Sequence, residues 1–359
     1  MSARVLVTGS LGYIGSRLVS YLLEKQCQVT AIDTGFFRDC LLSKETSRGQ
    51  FQYVDMRDFS YSELDHIDTV IHLAGISNDP FGDLMPSQVY DSSTQYSVAL
   101  AQACKQRGVR YVFASSCSVY GSAFDAITTE TSVPNPQTHY SHNKLAIETQ
   151  VSRMADSTFV PVFLRFATLF GASPRMRFDI VVNMLTAMAF ASKKIILNSD
   201  GKANRPFVHI DDVCEAFYQA ATYQQRGDNA LIVNVGSDSE NYRIIDVAQK
   251  ICDIAGDCSL TSLTNVSSSS DKELFKDRKL QDGVDSRDYR VSFSKIRTVF
   301  PDFKTQWPLE KGIHDLFSYY EQLGLTEAMY KDRQYYRLQT MENLYKERRI
   351  DSALRWTSP

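Results

Sequence analysis

The 359-residue sequence has no long apolar run, no C-x-x-C pair, no internal repeat and almost no excess of charge of either sign. The missing run argues against a transmembrane helix, which needs about 20 consecutive apolar residues. A formal net charge of −3 gives no basic footprint for nucleic acid. The seven cysteines are scattered and odd in number, which argues against a disulfide framework or a zinc site. We therefore expect no membrane or nucleic-acid partner and no metal.

The start of the chain and its length indicate where the protein works and how it is divided. The first strand begins almost at once, which leaves no room for a signal peptide, and free cysteines fit a reducing compartment. We therefore expect a cytoplasmic protein. A chain of 359 residues exceeds the usual size of one hydrophobic core, which predicts two packed lobes.

A glycine-rich stretch near the N-terminus is the strongest local pattern, and its residues 5–16 read VLVTGSLGYIGS. An apolar run predicts a buried parallel strand, and the periodicity of residues 16–25 predicts a helix after the glycines. In such a loop Gly9 permits a tight turn, Gly12 lets a pyrophosphate approach the backbone, and Gly15 lets the helix pack on the strand. The pattern predicts a dinucleotide-binding loop, although its G-x-x-G-x-x-G spacing differs from the general fingerprint. A strand-to-helix turn without a ligand is the alternative.

A second strand, residues 28–33, ends in Asp33. This acid lies about 20 residues beyond the glycines, where a carboxylate accepts hydrogen bonds from the adenosine ribose. Its negative charge would repel a 2′-phosphate, which favours NAD over NADP. An ordinary turn aspartate at a strand end is the alternative.

Further strands alternate with helices through the first half of the chain. This alternation predicts right-handed crossovers and a doubly wound parallel α/β sheet with helices on both faces. Gly75 follows one strand, and a glycine at a strand tip lets a ligand lie close to the backbone. The predicted strands are residues 51–55, 69–74 and 110–115, and a helix is predicted over 89–107.

Tyr140 and Lys144 open a predicted helix over residues 140–154 and share one face of it. Tyrosine ordinarily titrates near pKa 10, and a lysine cation one turn away, with an oxidised nicotinamide, favours the phenolate. Such a phenolate could take a proton from a substrate hydroxyl whose carbon gives up hydride. A lone Y-x-x-x-K is more often a solvated helix face, but here it follows a dinucleotide loop and the serine-rich strand tip 115–121.

The ordered set of motifs resembles the extended short-chain dehydrogenases/reductases, and within them the nucleotide-sugar epimerase/dehydratase group. The resemblance covers about residues 4–320 and includes HLAG, SSCSVYG, YSHNK, LRFATLFG, NRPFVHIDDV and NVG. It implies a Rossmann-type NAD-binding domain over residues 1–172, with a returning segment near 205–240. A smaller mixed α/β nucleotide-sugar-binding lobe over 173–325 and a helical extension over 326–359 complete the predicted division.

The same resemblance implies a set of site residues. Lys144 would also bind the nicotinamide ribose, and Asp55 and Met56 would hold the adenine. The catalytic residues would be Ser116, Tyr140 and Lys144. The expected cofactor-binding residues are Gly9, Gly12, Tyr13, Ile14, Gly15, Asp33, Asp55, Met56, Leu73, Ala74, Gly75, Tyr140 and Lys144.

The substrate would be a nucleotide-diphosphate sugar. Arg205 would contact its phosphates, because a planar guanidinium binds two oxygens at once. Arg287, with Arg290 as a rival, is the candidate for a second phosphate contact. The expected substrate-binding residues are Ser116, Cys117, Thr168, Arg177, Asn183, Arg205 and Arg287.

Departures from the family pattern narrow the expected reaction. Family 4,6-dehydratases place Asp-Glu directly after the catalytic hydroxyl residue, where this chain has Cys117 and Ser118. Neither side chain is a carboxylate, and Cys117 is more often a packed cysteine than a catalytic one. The remaining trio suffices for a 4-epimerase that oxidises, turns and re-reduces its substrate. A 4-ketoreductase is the next alternative, a dehydratase follows, and a non-catalytic NAD sensor is the alternative from another class. Relatives also imply a homodimer, through the helices at 89–107 and 140–154.

Overall fold

The centre of the fold is a parallel seven-stranded sheet in the computed structural model, which describes residues 2–42, 50–76, 87–122, 126–224, 227–262 and 288–357. The strand order across the sheet is 10-6-5-4-1-2-3, and every pairing within it is parallel. Its strands are β1 Arg4–Thr8, β2 Gln28–Asp33, β3 Gln50–Tyr53, β4 Thr69–His72, β5 Arg110–Ser116, β6 Val162–Phe166 and β10 Leu231–Val235. The order reverses between β1 and β4, which is where open α/β sheets bind their ligands.

Helices cover both faces of this sheet, because alternate residues of a strand point to opposite faces. Val5 and Val7 belong to one apolar cluster and Leu6 belongs to the other. Leu18 and Phe217 lie in the first cluster, while Leu100 and Ile147 lie in the second. The helices concerned are α1 Tyr13–Glu24, α2 Ser92–Arg107, α3 His139–Ser152 and α5 Ile210–Thr222.

Beyond residue 166 the chain forms a smaller mixed unit. Strand β9 pairs parallel with β7 and antiparallel with β11, while β8 and β12 form a separate parallel pair. The strands are β7 Thr168–Phe170, β8 Lys194–Leu197, β9 Asn204–His209, β11 Asn241–Arg243 and β12 Ser259–Ser262. The helices are α4 Val181–Ser192, α6 Ile244–Ala255, α7 Ser294–Val299 and α8 Leu309–Gln322.

The C-terminal part is helical only in its first half. Two short helices, α9 Glu327–Lys331 and α10 Arg337–Lys346, precede an irregular stretch that continues to Thr357. Leu338, Met341, Leu344, Ile350 and Leu354 from this part pack against a third apolar cluster supplied by the N-terminal half, namely Phe37, Cys40, Val89 and Tyr90. The extension therefore lies against the loops of the first lobe.

The predicted doubly wound sheet is confirmed. The predicted bounds of most strands and helices differ by a few residues from those in the structure. The helix expected from residue 89 begins at Ser92, after a turn of π-helix over Ser87–Asp91. The strand expected over 51–55 covers Gln50–Tyr53, because Asp55 starts a 3₁₀ turn and its side chain accepts the N–H of Arg57. No helix among the described residues is long and apolar enough to span a membrane.

Candidate active site

The glycine loop joins β1 to α1 at the carboxyl edge of the sheet. Gly9 has φ +70°, and a Cβ there would stand 2.8 Å from the backbone nitrogen of Ala74. A Cβ on Gly15 would stand 2.2 Å from the carbonyl oxygen of Gly9, closer than real contacts allow. The first glycine thus makes the turn and the third lets helix and strand pack, as the loop pattern predicts. The N-cap residue of α1 is Gly12, which has no side chain to bond the first N–H groups of the helix, and these groups suit phosphate oxygens.

A cavity of about 810 Å³ opens over this loop and extends between the two lobes. Its size suits a large ligand, since small-molecule sites range from about 300 to 1,000 Å³. Most of the residues expected from the sequence line it, from both lobes. These are Gly9, Gly12, Tyr13, Ile14, Gly15, Asp33, Asp55, Met56, Leu73, Ala74, Gly75, Ser116, Tyr140, Lys144, Thr168, Arg177 and Arg205.

Asp33 lies at the tip of β2 on the cavity wall. Its carboxylate accepts hydrogen bonds from the N–H groups of Leu11, at 3.0 Å, and Gly35, at 2.7 Å. Burial raises the pKa of Asp33, while these two hydrogen bonds and the charge of Arg337 oppose the rise. The two N–H groups fix the carboxylate, whose remaining lone pairs could accept ribose hydroxyls.

Asp55 is less open to a ligand than its predicted role requires. One oxygen accepts the backbone N–H of Arg57 at 2.9 Å, and the Arg57 guanidinium bonds both carboxylate oxygens. Burial opposes ionisation, yet the Arg57 side chain holds the pKa of Asp55 below its usual value. Arg57 and Met56 line the cavity beside it. An adenine at this end would meet the ion pair rather than an isolated carboxylate.

The catalytic candidates come from two elements that meet beneath the cavity. Ser116 ends β5 and caps a 3₁₀ turn, where its Oγ accepts the N–H of Ser118 at 3.1 Å. Tyr140 and Lys144 occupy the first turns of α3, which Thr138 starts with a reciprocal capping box to Ser141. The Nζ of Lys144 lies 5.6 Å from the centre of the Tyr140 ring. The cap therefore fixes the start of α3 and with it the Tyr140–Lys144 face.

Lys144 is buried, with 7% of its surface exposed. Burial lowers its pKa to about 7, and the Glu148 carboxylate partly opposes this shift while Arg337 adds to it. Its Nζ also lies 4.5 Å from the centre of the Phe113 ring, a cation–π contact that favours the charged form. The ammonium is thus held beside Tyr140 at a pKa that makes its charge sensitive to nearby ligands.

A buried ion pair stabilises helix α3 and the turn that carries Ser116. Glu148, one turn beyond Lys144, accepts hydrogen bonds from Arg165 Nε and Nη2, the latter at 2.6 Å. Arg165 also donates to the Tyr120 hydroxyl, which in turn donates to Asn234. Both charged side chains are at most 3% exposed. The network links α3, β6 and β10 to the turn that carries Ser116.

Three of the substrate candidates lie on the second-lobe side of the cavity. Arg177 forms a bidentate pair with Asp179, with distances of 2.8 and 3.0 Å. The Arg205 guanidinium lies 5.3 Å from the centre of the Tyr289 ring and donates to the carbonyl of Asn204. Thr168 opens β7 beside them. The Arg205 guanidinium and the Thr168 hydroxyl on this wall suit a phosphorylated ligand, while Arg177 is already paired with Asp179.

Two of the predicted substrate-binding residues, Cys117 and Asn183, do not line the cavity. Cys117 is fully buried, and its Sγ donates to the carbonyl of Arg165, because the turn after Ser116 directs it inward. Asn183 is also buried, since its amide accepts the N–H of Gly171 and donates to the Tyr13 hydroxyl and the Arg177 carbonyl. Asn183 thus braces the loop before α4 instead of facing a ligand.

The remaining candidates are Tyr13, Arg287 and Arg290. The Tyr13 hydroxyl donates to the carbonyl of Gly171 at 2.7 Å, so its backbone N–H is the group it can offer a cofactor. Arg287 lies outside the described residues, and its rival Arg290 is exposed and does not line the cavity.

The structure also places residues at the site that the sequence reasoning missed. Ser118 is 4% exposed and lines the cavity, and its hydroxyl has no hydrogen-bond partner within the described part of the chain. Its position directly after the Ser116-Cys117 pair was a usable signal. Tyr336, Arg337, Leu338 and Leu354 reach the cavity from the C-terminal extension, and no local pattern indicates this.

Together the fold and the site define a dinucleotide-dependent enzyme with a tyrosine–lysine pair at the switch point of a Rossmann sheet. Comparison with known proteins agrees. Residues 5–236 match the model of the NAD dependent epimerase/dehydratase family. The chain belongs to this family, and its cofactor is therefore NAD, as the sequence predicts.

Individual relatives differ in activity. A UDP-glucose 4-epimerase of Streptococcus mutans is 27% identical over 69% of this chain and 81% of its own length. A mouse dTDP-D-glucose 4,6-dehydratase is 22% identical over 88% of each chain. The crystal structure of a Bacillus cereus UDP-glucuronic acid 4-epimerase, in complex with UDP-glucuronic acid and NAD, has a TM-score of 0.72 at 25% identity and covers 89% of this chain and 99% of that one. The chain is therefore similar to nucleotide-sugar enzymes of more than one reaction type.

Proposed function

We propose that this protein is a NAD-dependent 4-epimerase of a nucleotide-diphosphate sugar, working through a transient 4-keto sugar. The observation that carries the proposal is the placement of Ser116, Tyr140 and Lys144 on one cavity with the glycine loop and Asp33. Bound NAD would accept a hydride from C4 of the sugar and return it to the other face.

The side chains of this chain would supply the proton chemistry. Tyr140, as the phenolate, would take the proton of the 4-hydroxyl and later give it back to the re-formed hydroxyl. The Lys144 ammonium beside it would stabilise the phenolate and bind the nicotinamide ribose. Ser116 would hold the same sugar oxygen, with its hydroxyl already oriented by the N–H of Ser118.

The surroundings of Ser116 favour epimerisation over dehydration. Elimination of water across C5 and C6 needs a group that shuttles a proton there, and neither Cys117 nor Ser118 is a carboxylate. Burial raises the pKa of the Cys117 thiol, which turns away from the cavity. The Ser118 hydroxyl, which bonds no other group in the described ranges of the chain, could bind a sugar oxygen. A 4-ketoreductase needs the same trio and is the second candidate.

We also propose that the two parts of the chain bind different ligands. Residues 1–172, with β10 returning to the sheet, would bind NAD, and residues 173–325 would bind the nucleotide sugar through Arg177, Arg205 and Thr168. We further propose a homodimer formed through α2 and α3. The outer face of α2 carries an exposed, uncharged stripe at Gln95, Ala99, Gln102 and Gln106 that would suit such a contact, and the molar mass in solution tests it.

The decisive experiment incubates the purified protein with a panel of UDP- and dTDP-hexoses and identifies products by NMR. A 4-epimerase converts one sugar into its C4 epimer without net change in NADH absorbance. Tyr140→Phe should lower the rate by a factor of about 10²–10⁴, the usual contribution of a positioned acid or base. Loss of water from the sugar would indicate a dehydratase, and net NAD(P)H consumption would indicate a ketoreductase. If no sugar is turned over and Tyr140→Phe changes nothing, the non-catalytic sensor is favoured.

A further inference from the structure

The C-terminal extension forms one wall of the NAD cavity. Tyr336, Arg337 and Leu338 at the start of α10, and Leu354 further on, line the same cavity as the glycine loop. This part of the chain lies beyond the matched family region, residues 5–236. Its contribution to the site is therefore a property of this chain that the family match does not cover.

The far end of the extension is attached to the loops that carry Asp33 and Asp55. Trp356 Nε1 donates to the carbonyl of Thr34 at 2.6 Å. Arg57, which pairs with Asp55, donates to the carbonyl of Leu354 at 3.0 Å. These contacts fasten the extension at the end of the cavity where the adenosine of a dinucleotide would lie.

Arg337 is a residue of the extension that lies close to the glycine loop. Its Nη2 lies 3.8 Å from the point where a Cβ on Gly12 would stand. Gly12 is the glycine whose missing side chain lets a pyrophosphate approach the backbone. The Arg337 guanidinium also lies 5.3 Å from the centre of the Phe37 ring, and only 7% of the residue is exposed. A buried guanidinium therefore stands beside the position of the pyrophosphate.

Two further arginines stand near Arg337. Arg175 and Arg177 lie near enough to disfavour its charge, and Asp179 is the carboxylate that most favours it. Asp179 is already paired bidentately with Arg177. Concentrated positive charge in a buried site is costly unless a negative group compensates it. A pyrophosphate carries two negative charges and would be bound by the planar donors of an arginine.

We propose that Arg337 binds the pyrophosphate of NAD, which makes the C-terminal extension part of the coenzyme site. The proposal rests on NAD binding, which family membership supplies, and not on which sugar reaction follows. It holds equally for an epimerase, a ketoreductase or a dehydratase, so its failure and that of the proposed function are separate results.

The test measures binding of NAD⁺ and of ADP-ribose by calorimetry to full-length protein stripped of NAD. Arg337→Gln should weaken both by about 10- to 100-fold, because a hydrogen-bonded charge contact is lost in each case. The matched control is Arg348→Gln, which removes the same charge from an exposed position of the same extension and should leave both affinities unchanged. Unchanged NAD⁺ affinity in Arg337→Gln would overturn the proposal.

Two further measurements separate this role from the alternatives. UDP, titrated into NAD-loaded protein, reports on the substrate's diphosphate, and its affinity should be the same in wild type and Arg337→Gln. A loss confined to UDP would place Arg337 at the substrate instead and contradict the proposal. The melting temperature of the NAD-free variant should not fall, whereas a purely structural residue would lower it. If the glutamine variant does not fold, Arg337→Lys replaces it in the test. This variant keeps the positive charge but loses the planar guanidinium, and its NAD⁺ affinity should fall by about 3- to 10-fold.

Discussion

The Nζ of Lys144 lies 5.6 Å from the centre of the Tyr140 ring, on the next turn of the same helix face. Burial brings the pKa of Lys144 down to about 7, so in the NAD-free protein the charge of this ammonium opposes folding at and below neutral pH. The lysine that we propose assists the chemistry therefore lowers the stability of the NAD-free protein.

This relationship predicts that Lys144→Met stabilises the NAD-free protein while it abolishes activity. The folded-state pKa is lower than the unfolded one, so the unfolded state binds more protons between about pH 7 and 10.5. The penalty in wild type is therefore complete below about pH 7 and disappears as the pH rises to about 10.5. Melting temperatures should be higher in the variant at pH 6, and the difference should shrink towards pH 10. An equal difference at all pH values would contradict the buried-cation explanation.

The Glu148–Arg165 pair predicts a large, non-additive loss of stability. Glu148→Leu leaves the Arg165 guanidinium buried without its carboxylate, which costs about 3–5 kcal/mol. The double variant Glu148→Leu, Arg165→Met removes both charges and should recover part of that loss. Urea unfolding of the four proteins of this cycle measures the coupling. If the two single effects simply add, the pair is not an energetic unit.

Replacement by alanine should have different effects at Gly12 and at Gly15. A Cβ on Gly15 would stand 2.2 Å from the Gly9 carbonyl oxygen and 2.7 Å from the Ser10 Cα, so Gly15→Ala should destabilise the fold by about 3 kcal/mol or more. A Cβ on Gly12 would meet that oxygen at 3.1 Å. Gly12→Ala should therefore fold, yet bind NAD⁺ at least about tenfold more weakly, because its methyl group occupies the approach of the pyrophosphate. Thermal unfolding and NAD⁺ titration distinguish the two effects, and normal NAD⁺ affinity in Gly12→Ala would refute this placement.

The Asp33 carboxylate should determine the preference of the protein for NAD⁺ over NADP⁺. Asp33→Asn keeps an oxygen for one of the two backbone N–H groups and removes the charge that repels a 2′-phosphate. The variant should bind NAD⁺ more weakly than the wild type does. Its preference for NAD⁺ over NADP⁺, taken as the ratio of the two affinities, should fall about tenfold, which corresponds to about 1.4 kcal/mol. Fluorescence titration with both coenzymes measures the ratio, and an unchanged ratio would place the ribose elsewhere.

The sequence predicts the Rossmann sheet because its signals are local. The β-branched runs, the glycine spacing and the four-residue separation of Tyr140 and Lys144 each reflect neighbours along the chain. Side-chain direction after a turn depends instead on what the turn packs against, which is why Cys117 is packed inward and does not contact the cavity beside Ser116. Asn183 was misplaced for a similar reason, since its partners Tyr13 and Gly171 come from other elements.

The contribution of the extension could not be predicted in this way. Arg337 and Gly12 are at opposite ends of the chain, and no motif connects them. Their proximity follows from the burial of Leu338 and Leu354 against Phe37 and from the hydrogen bond of Trp356 to Thr34. These contacts join residues that are far apart in the sequence, so the residues of the extension carry no local sign of their role.

The most direct test of the proposed reaction follows the hydride. A nucleotide hexose that the protein converts is prepared with deuterium at C4, and its product is examined by NMR and mass spectrometry. A 4-epimerase should give the C4 epimer with the deuterium still at C4 and the mass unchanged, because the same hydride is removed and returned within one site. Loss of the label from C4 to solvent or to free coenzyme, or a product inverted at C3 or C5, would contradict it.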